Sequence, residues 1–433
     1  MWPLEREQEP AGALPGVRVL EIASDVAGLT GKLLADLGAD VVVVEPPGGS
    51  GSRAYEPFVE DQPGPERSLW WWYYNTSKRS VVLDLEAPAG QDRFRELAAL
   101  ADIVIEAEPP GSLTERGIGY PELSASHPDV IWVSVTPFGD TGSRADEILT
   151  DLTLLAGAGP VWNCGYDDHE LPPVRGGGNQ GYHIAALFAA LGTLTALVQR
   201  DETGIGQHVD TSMHAAANVT TESGTFMWLV AEQIVQRQTG RHAATTPTMP
   251  VQVMAGDGRY VTTGFLPHDA RRLEAIVVWL EQLGLAEEFA STQLLRLGVE
   301  RGGVDVRNLE NDVEGVAILE AARDALVFVA SKISAYDFFL GAQERDMQCG
   351  IVYAPEEALE DPHFRDRGFP VDVLHDDLGR TVTYPGAPFR MSESPWRIRR
   401  RAPHVGEHQA EILDGPDGRA ERADDDTASN AHR

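Results

Sequence analysis

Residues 17–44 read VRVLEIASDVAGLTGKLLADLGADVVVV, and this stretch decides the fold. It opens with a strand-like run, Val17–Ile22, continues into a helical segment, Gly28–Leu37, and ends in four consecutive valines. An uninterrupted β-branched run is typical of a strand that is buried on both faces of a parallel sheet. A strand, a helix and a second strand in this order indicate a βαβ unit. The sequence therefore predicts an α/β fold built on a parallel sheet.

The same alternation of strands and helices continues along the first half of the chain. A long segment rich in Ala and Leu closes this half, and a short strand follows the turn at Thr203–Gly206. The further predicted elements are strands at 80–85, 102–105, 130–135 and 207–211 and helices at 88–101 and 184–199.

The sequence from about residue 245 to 353 has a different pattern and predicts a second, smaller domain. It begins with a hairpin-like stretch, Ala255–Val261, whose glycines permit a positive φ at the turn. Helical periodicity follows at Ala270–Phe289 and Val313–Ile333. Strand-like and turn-rich sequence resumes at Phe369–Ile398, and residues 414–433 are polar and acidic, which predicts a disordered tail.

Charge and cysteine content exclude several classes of function. Asp and Glu number 67 against 35 Lys and Arg, a formal net charge of −32, which repels nucleic acid and anionic membranes. The two cysteines, Cys164 and Cys349, form no zinc-ligand pattern, so we expect no metal site. Residues 1–15 lack the features of a signal peptide, and no apolar run approaches the length of a membrane span. These features predict a cytoplasmic protein.

Several motifs occur in an order and at a spacing that identify a family. They read LPGVRVLE at 14–21, LLADLGADV at 33–41, NTSKRSVVLDL at 75–85, ADIVIE at 101–106, TGIGQHVD at 203–210 and YPG at 384–386. Over roughly residues 14–412 the chain resembles the family III CoA-transferases, the CaiB/BaiF family with the formyl-CoA transferase-like fold. The resemblance implies a Rossmann-like large domain made of residues 10–215 and 365–412, with a smaller inserted α+β domain at 245–353. It further implies an interlocked homodimer that acts on an acyl-CoA and a small carboxylic acid.

Basic residues next to predicted strands are candidates for binding coenzyme A. Lys78 and Arg79 precede a strand, and Lys or Arg can bind the CoA phosphates by charge-assisted hydrogen bonds. Arg53 follows a glycine-rich loop and is a further candidate. The alternatives are a solvated strand edge for the first two residues and a flexible linker for the loop.

Two loops at the predicted carboxyl edge of the sheet are the other CoA-binding candidates, because ligands of α/β proteins usually bind there. The first contains Asp25, Val26 and Ala27, and the resemblance places the CoA thioester near it. The second contains Phe138 and Gly139, and the resemblance places it over the CoA arm. The alternative interpretation of the first loop is that it is an ordinary βα turn with no role in binding.

The active centre departs from the family. Family III transferases use an aspartate nucleophile that lies ten residues before a glycine of the long helix. Counting back from Gly192 leads to Tyr182, with His183 beside it. Tyrosine is mostly neutral at pH 7 and cannot readily replace the carboxylate, but it can donate a hydrogen bond to a thioester carbonyl. His183 is a candidate general acid or base, and the alternative is that both residues only pack at the helix start.

Asp151 completes the candidate catalytic set. It either lines the pocket or, as we prefer, caps the helix that begins near Leu152. The racemases that share this fold have a histidine directly before the aspartate at this position. Here Thr150 precedes Asp151, so the resemblance does not favour a racemase.

The first functional hypothesis is CoA transfer by a route modified for loss of the nucleophile. The alternatives are an acyl-CoA isomerase, lyase or acyltransferase that uses Tyr182 and His183, and a non-catalytic acyl-CoA-binding protein or partner subunit.

Overall fold

The structure is a computed structural model that describes residues 12–264 and 266–413. The predicted tail at 414–433 lies outside the described residues. The chain divides into two compact units. The first unit contains the described parts of Met1–Pro160, Arg175–Glu222 and Pro362–Arg433, and the second contains Val161–Val174 and Ser223–Asp361. Residues 161–174, which the sequence analysis left in the large domain, thus belong to the second unit.

The core of the first unit is a parallel sheet, as predicted. Its six strands within the described residues lie in the order β3-β2-β1-β4-β5-β6, and every neighbouring pair is parallel. The central valines 41–44 are at most 1 % exposed, which is the double burial that their β-branched run predicts. The strands are β1 (Arg18–Ile22), β2 (Asp40–Glu45), β3 (Arg79–Val82), β4 (Ile103–Glu106), β5 (Ile131–Thr136) and β6 (His208–Ser212).

The predicted helices of the first unit are present with shifted ends, and the helices at Leu69–Tyr74, Ser112–Glu115, Tyr120–Ser126 and Met213–Val219 were not predicted. The long helix begins at Gln180, four residues earlier than predicted, so Tyr182 and His183 lie in its first turn. The helix after β3 ends at Ala98, three residues earlier than predicted. The helices are α1 (Gly28–Asp36), α2 (Leu69–Tyr74), α3 (Pro88–Ala98), α4 (Ser112–Glu115), α5 (Tyr120–Ser126), α6 (Asp151–Ala158), α7 (Gln180–Thr203) and α8 (Met213–Val219).

Helix α7 is long and apolar enough, by length and composition alone, to cross a membrane. No continuous apolar run marks this helix in the sequence, because its apolar residues are interrupted by polar ones. Within the first unit α7 packs against α1, α6, α8 and β5, and 44 % of its most apolar window is buried. Core helices of soluble proteins can have the same length and composition, so these two properties are only weak evidence that α7 crosses a membrane.

The second unit combines helices with small antiparallel sheets. The predicted hairpin is confirmed, with Gly258 at a φ of +83° in its turn. The predicted helix at 270–289 ends at Gln282, because Gly284 adopts a left-handed φ of +71°. The elements are α9 (Glu222–Ala231), β7 (Gln236–Gln238), β8 (Arg241–Ala244), β9 (Gln252–Met254), β10 (Tyr260–Thr262), α10 (Ala270–Gln282), α11 (Thr292–Glu300), α12 (Val313–Lys332), α13 (Ala335–Glu344), β11 (Gly350–Ile351) and α14 (Pro355–Glu360).

The C-terminal segment returns to the first unit. It comprises α15 (Pro362–Asp366), the antiparallel pair β12 (Pro370–His375) and β13 (Arg380–Pro385), and α16 (Gln409–Leu413). The side chain of Gln409 accepts a 2.7 Å hydrogen bond from the backbone of Val82 in β3. This segment therefore covers the edge of the parallel sheet.

Candidate active site

Tyr182 lies where the first turn of α7 meets the loop that follows β1. Its pKa is raised to about 12, first by burial and then by the carboxylates of Asp25 and Asp151. A hydrogen bond from the backbone of Asp151 acts in the opposite direction and is too weak to offset the others. Tyr182 is therefore neutral at physiological pH, and its hydroxyl group is available as a hydrogen-bond donor.

Asp151 holds the start of α7 in place. Its carboxylate accepts a 2.8 Å hydrogen bond from the backbone of Gly181 and pairs with Arg175 at 2.5 Å. The expectation that Asp151 caps its own helix is wrong, because the side chain of Thr150 caps α6 by accepting from the backbone of Thr153. The aspartate instead provides an acceptor for a free N–H at the start of the next helix, where an anion also compensates the helix dipole.

Arg175 is a site residue that the sequence analysis missed. Its guanidinium also donates to the carbonyl of Gly178, and its side chain is 33 % exposed. The Arg-Gly-Gly-Gly run at 175–178, directly before the helix that carries Tyr182, was the available signal. Arg175 supplies a partly exposed cation in a site that otherwise contains two carboxylates.

The side chain of His183 lies beside the ring of Tyr74, which belongs to α2. Its Nε2 atom lies 2.5 Å from the hydroxyl group of Tyr74. Burial lowers the pKa of His183, and burial raises the pKa of Tyr74, so both groups are neutral at pH 7. The tyrosine hydroxyl then donates and Nε2 accepts, which leaves the ring proton of His183 on Nδ1. His183 is thus tied to Tyr74.

The loop after β1 is organised by its own side chains. The hydroxyl of Tyr55 donates a 3.1 Å hydrogen bond to Asp25. Ser24 accepts from the backbone N–H groups of Val26 at 3.0 Å and Ala27 at 3.4 Å. These two N–H groups therefore already have an internal acceptor, while the carboxylate of Asp25 is placed close to Tyr182.

The three basic residues proposed as phosphate contacts are buried, and the structure corrects that expectation. Lys78, Arg79 and Arg53 are 0 %, 1 % and 2 % exposed. They form ion pairs with Glu21 at 2.8 Å, Asp40 at 2.5 Å and Glu45 at 2.6 Å, respectively. Because these side chains are enclosed and paired with carboxylates, they present no exposed charge to a phosphate group, and removing one partner would leave a buried charge uncompensated.

The loop with Phe138 and Gly139 lies beside a second polar cluster. Gly139 has a φ of +90°, and the backbone of the next residue, Asp140, donates to Asp210. Asp140 in turn is 3.2 Å from His208. The loop thus stands at the mouth of a polar region on β5 and β6.

A cavity of about 170 Å³ adjoins this loop and has an acidic lining. It is lined by Glu106, Ser134, Asp140 and His208 together with prolines and aromatic rings. Burial raises the pKa of Glu106 to about 7, and Ser134 hydrogen-bonds both Glu106 and, at 2.9 Å, His208. Two carboxyl groups in its wall make this cavity unsuitable for phosphate groups.

Metal ligation has no support in the described parts of the chain. Residues 12–264 and 266–413 contain no group of three or more His, Cys, Asp or Glu side chains that is placed to hold a metal ion.

Comparisons with known proteins agree with this architecture. A subunit of the succinyl-CoA:(R)-benzylsuccinate CoA-transferase of Thauera aromatica is 33 % identical over 92 % of each chain. The succinyl-CoA:mesaconate CoA-transferase of Haloarcula hispanica is 30 % identical over 93 % of this chain and 96 % of that one. A CaiB/BaiF family protein of Brucella suis has a crystal structure that superposes with a TM-score of 0.75 at 25 % identity, covering 94 % of this chain and 99 % of that one. The family model of CoA-transferase family III matches residues 14–409, and the chain belongs to this family.

Proposed function

We propose that this protein moves coenzyme A between an acyl-CoA and a carboxylic acid, by a route in which Tyr182 stands where the family has its nucleophilic aspartate. The neutrality of Tyr182 carries the proposal. With a pKa of about 12, its hydroxyl can donate to an oxyanion, whereas it cannot act as a carboxylate nucleophile. The relatives from Thauera and Haloarcula are named for transfer of CoA from succinyl-CoA, which supports the same class of reaction here.

The reaction can be balanced without a covalent enzyme intermediate. The carboxylate of the acceptor acid attacks the thioester carbonyl, and the C–S bond breaks to give a mixed anhydride and the CoA thiolate. The thiolate then attacks the anhydride carbonyl that came from the acceptor acid, and the donor acid leaves as its carboxylate. Each step passes through an oxyanion, and Tyr182 stabilises this charge by donating its hydroxyl hydrogen.

The surrounding residues assist in distinct ways. Arg175 offsets the negative charge of Asp151 and provides the positive charge that an incoming carboxylate requires. His183, held by Tyr74, fixes the direction of the first turn of α7. The loops at Asp25–Ala27 and Phe138–Gly139 are the proposed contacts of the CoA arm, at the edge of the sheet where α/β proteins bind ligands.

The proposed assembly is a homodimer in which the chains interlock. The exposed apolar face of α7 supports it, because Leu187, Leu191 and Val198 are 55 %, 58 % and 63 % exposed and share one side of the helix. A stripe of this kind is typical of a surface that a second copy covers. The proposed location is the cytoplasm, which suits the two unpaired cysteines, Cys164 and Cys349.

A second candidate is a partner subunit of a CoA-transferase made of two different chains. The observation that favours it is that the Thauera relative is itself named as a subunit, and the proposed loss of the nucleophile at Tyr182 is consistent with it. In that case the purified chain binds CoA esters without turnover, and activity appears only when a second family III chain is added.

The test combines ligand binding with turnover. An acyl-CoA at about 100 times its Kd should stabilise the folded protein by about 2.7 kcal/mol, measured by thermal unfolding. Tyr182→Phe should keep this stabilisation and lower CoA transfer about 10²–10³-fold, the usual cost of one oxyanion donor. Failure of millimolar CoA and acyl-CoA to shift the melting temperature would reject CoA binding. Unchanged turnover in Tyr182→Phe would reject the role of the hydroxyl group.

A further inference from the structure

Four aromatic side chains form a continuous surface that leads to the candidate active site. The ring of Tyr55 meets Trp70 edge-on at 5.4 Å, and Trp70 lies 4.7 Å from Tyr74. Tyr73 meets Tyr74 edge-on at 4.8 Å. We call these four residues the aromatic wall. Three of them come from the short helix α2, whose sequence is LWWWYY.

Hydrogen bonds attach the aromatic wall to the site at two points. The hydroxyl of Tyr55, at one end of the wall, donates to Asp25 at 3.1 Å, and the hydroxyl of Tyr74 lies 2.5 Å from His183. The ring of His183, which follows Tyr182 directly in α7, lies 5.6 Å from that of Tyr74 and 6.4 Å from that of Tyr73. The rings therefore border the position where the reacting carbonyl is proposed to bind.

The aromatic wall is not simply core. The intervening residues Trp71 and Trp72 are 2 % and 5 % exposed and pack in a hydrophobic cluster of the first unit. Tyr55 is 41 % exposed, and Trp70 and Tyr73 are only partly buried. Tyr74 is 8 % exposed and packs with Leu29 and Ala186 in a small hydrophobic cluster that Trp70 and Tyr73 border, so the most exposed ring of the wall is that of Tyr55.

We infer that the acyl group or acid bound next to Tyr182 carries an aromatic ring, an inference that rests on the proposed CoA-transferase function. Aromatic rings gain from edge-to-face and offset contacts beyond what their buried area alone provides. Tyr55 and Trp70 already show an edge-to-face arrangement, with an interplanar angle of 81°, and an aryl ring can extend it. A short aliphatic acid would make no ring contact with the exposed side chain of Tyr55.

The experiment compares two CoA esters of equal chain length that differ only in the ring. Phenylacetyl-CoA and cyclohexylacetyl-CoA are titrated into the full-length protein by calorimetry, with free CoA as the reference. The phenyl ester should bind about two- to tenfold more tightly than the cyclohexyl ester, the usual range for an aromatic pair. Tyr55→Leu should bring the two affinities together, whereas Tyr55→Phe keeps the ring and should preserve the ratio. The exposure of Tyr55 makes both variants compatible with folding, which the free-CoA titration also checks.

The possible results separate the two proposals. If CoA and both esters bind but the phenyl and cyclohexyl esters have equal affinity, the aromatic inference is overturned and the proposed function stands. The same conclusion follows if Tyr55→Leu keeps the full preference for the phenyl ester, or if a second chain covers the aromatic wall and both esters bind no better than free CoA. If neither CoA nor any ester binds, the proposed function fails and the inference fails with it.

Discussion

The carboxylate of Asp151 accepts a 2.8 Å hydrogen bond from the backbone of Gly181, so a residue at the start of α6 caps the start of α7. Because Gly181 precedes Tyr182 directly, this bond holds the backbone from which the tyrosine side chain projects. Arg175 pairs with the same carboxylate at 2.5 Å and helps to orient it. The first turn of α7, which carries Tyr182, is thus held by an aspartate from another helix.

Replacing Asp151 should therefore affect both stability and turnover. Asp151→Ala removes a helix cap, at a cost of about 0.5–2 kcal/mol, and frees the first turn of α7. Thr150→Ala is the matched control, because it removes the cap of α6 without touching α7. Urea unfolding should show a loss of stability in both variants, and only Asp151→Ala should lower turnover. Equal turnover in the two variants would contradict the positioning role of Asp151.

Placing a carboxylate at position 182 should restore the chemistry that the family is known for. Tyr182→Asp introduces a nucleophile at the first turn of α7, where acyl-CoA should convert it to an anhydride and then to a CoA thioester. Mass spectrometry should find a hydroxylamine-sensitive adduct on this variant and none at residue 182 of the natural protein. Tyr182→Asn serves as the control without a nucleophile. A covalent adduct on any Asp or Glu of the natural protein would show that the usual route survives elsewhere.

Lys78 should behave as a structural residue. Lys78→Met leaves the buried carboxyl group of Glu21 without its ion-pair partner, and the free energy of unfolding should fall by about 3–5 kcal/mol. The double variant Glu21→Gln/Lys78→Met should recover part of this loss. Lys332→Met, which removes the half-exposed partner of Glu288, should cost at most about 1 kcal/mol. If Lys78→Met unfolds at the natural urea midpoint but loses more affinity for CoA than for dephospho-CoA, Lys78 would be a phosphate contact after all.

Glu106 should make the stability depend on pH. Its pKa is raised from 4.5 to about 7 by burial, so the folded state holds this proton after the unfolded state has released it. The contribution of Glu106 to the free energy of unfolding is therefore fully present below the pKa that it has in the unfolded state. This contribution is lost as the pH rises through the pKa that it has in the folded state. Between about pH 5.5 and about pH 8.5 the loss should be about 2 kcal/mol. Glu106→Gln should flatten this slope in urea titrations, and an unchanged slope would contradict the assignment.

Much of the sheet could be predicted because its residues carry strong local patterns. The valines of β2 have to be buried on both faces, and the glycine at 38 ends α1 in a left-handed conformation, with a φ of +109°. The helix at 270–289 was predicted too long because the periodic pattern continues past Gly284, where the backbone conformation changes.

The site was harder to predict because its contacts join distant parts of the sequence. Lys78 looked like an exposed strand flank, yet Gly31 of α1 leaves room for Glu21 to reach it: a Cβ atom at position 31 would lie 1.6 Å from the Glu21 carboxylate. The pairing of Arg175 with Asp151 spans 24 residues and has no periodic signature. Tyr55 and Asp25 meet across 30 residues. The sequence shows which charged and aromatic residues the chain contains, but only the folded structure shows which of their side chains are in contact.

The burial of Lys78, Arg79 and Arg53 has a consequence for the speed of binding. Each of these cations is paired with a carboxylate inside the protein, so none of them adds positive charge to the surface. Acidic residues therefore dominate the charge that faces solvent, in keeping with the formal net charge of −32. Anionic CoA esters and carboxylates must diffuse toward this surface against repulsion that added salt screens over about 10 Å at 0.1 M ionic strength. The association rate constant in stopped-flow measurements should therefore rise with potassium chloride, the reverse of the behaviour of enzymes that attract their anionic substrates electrostatically.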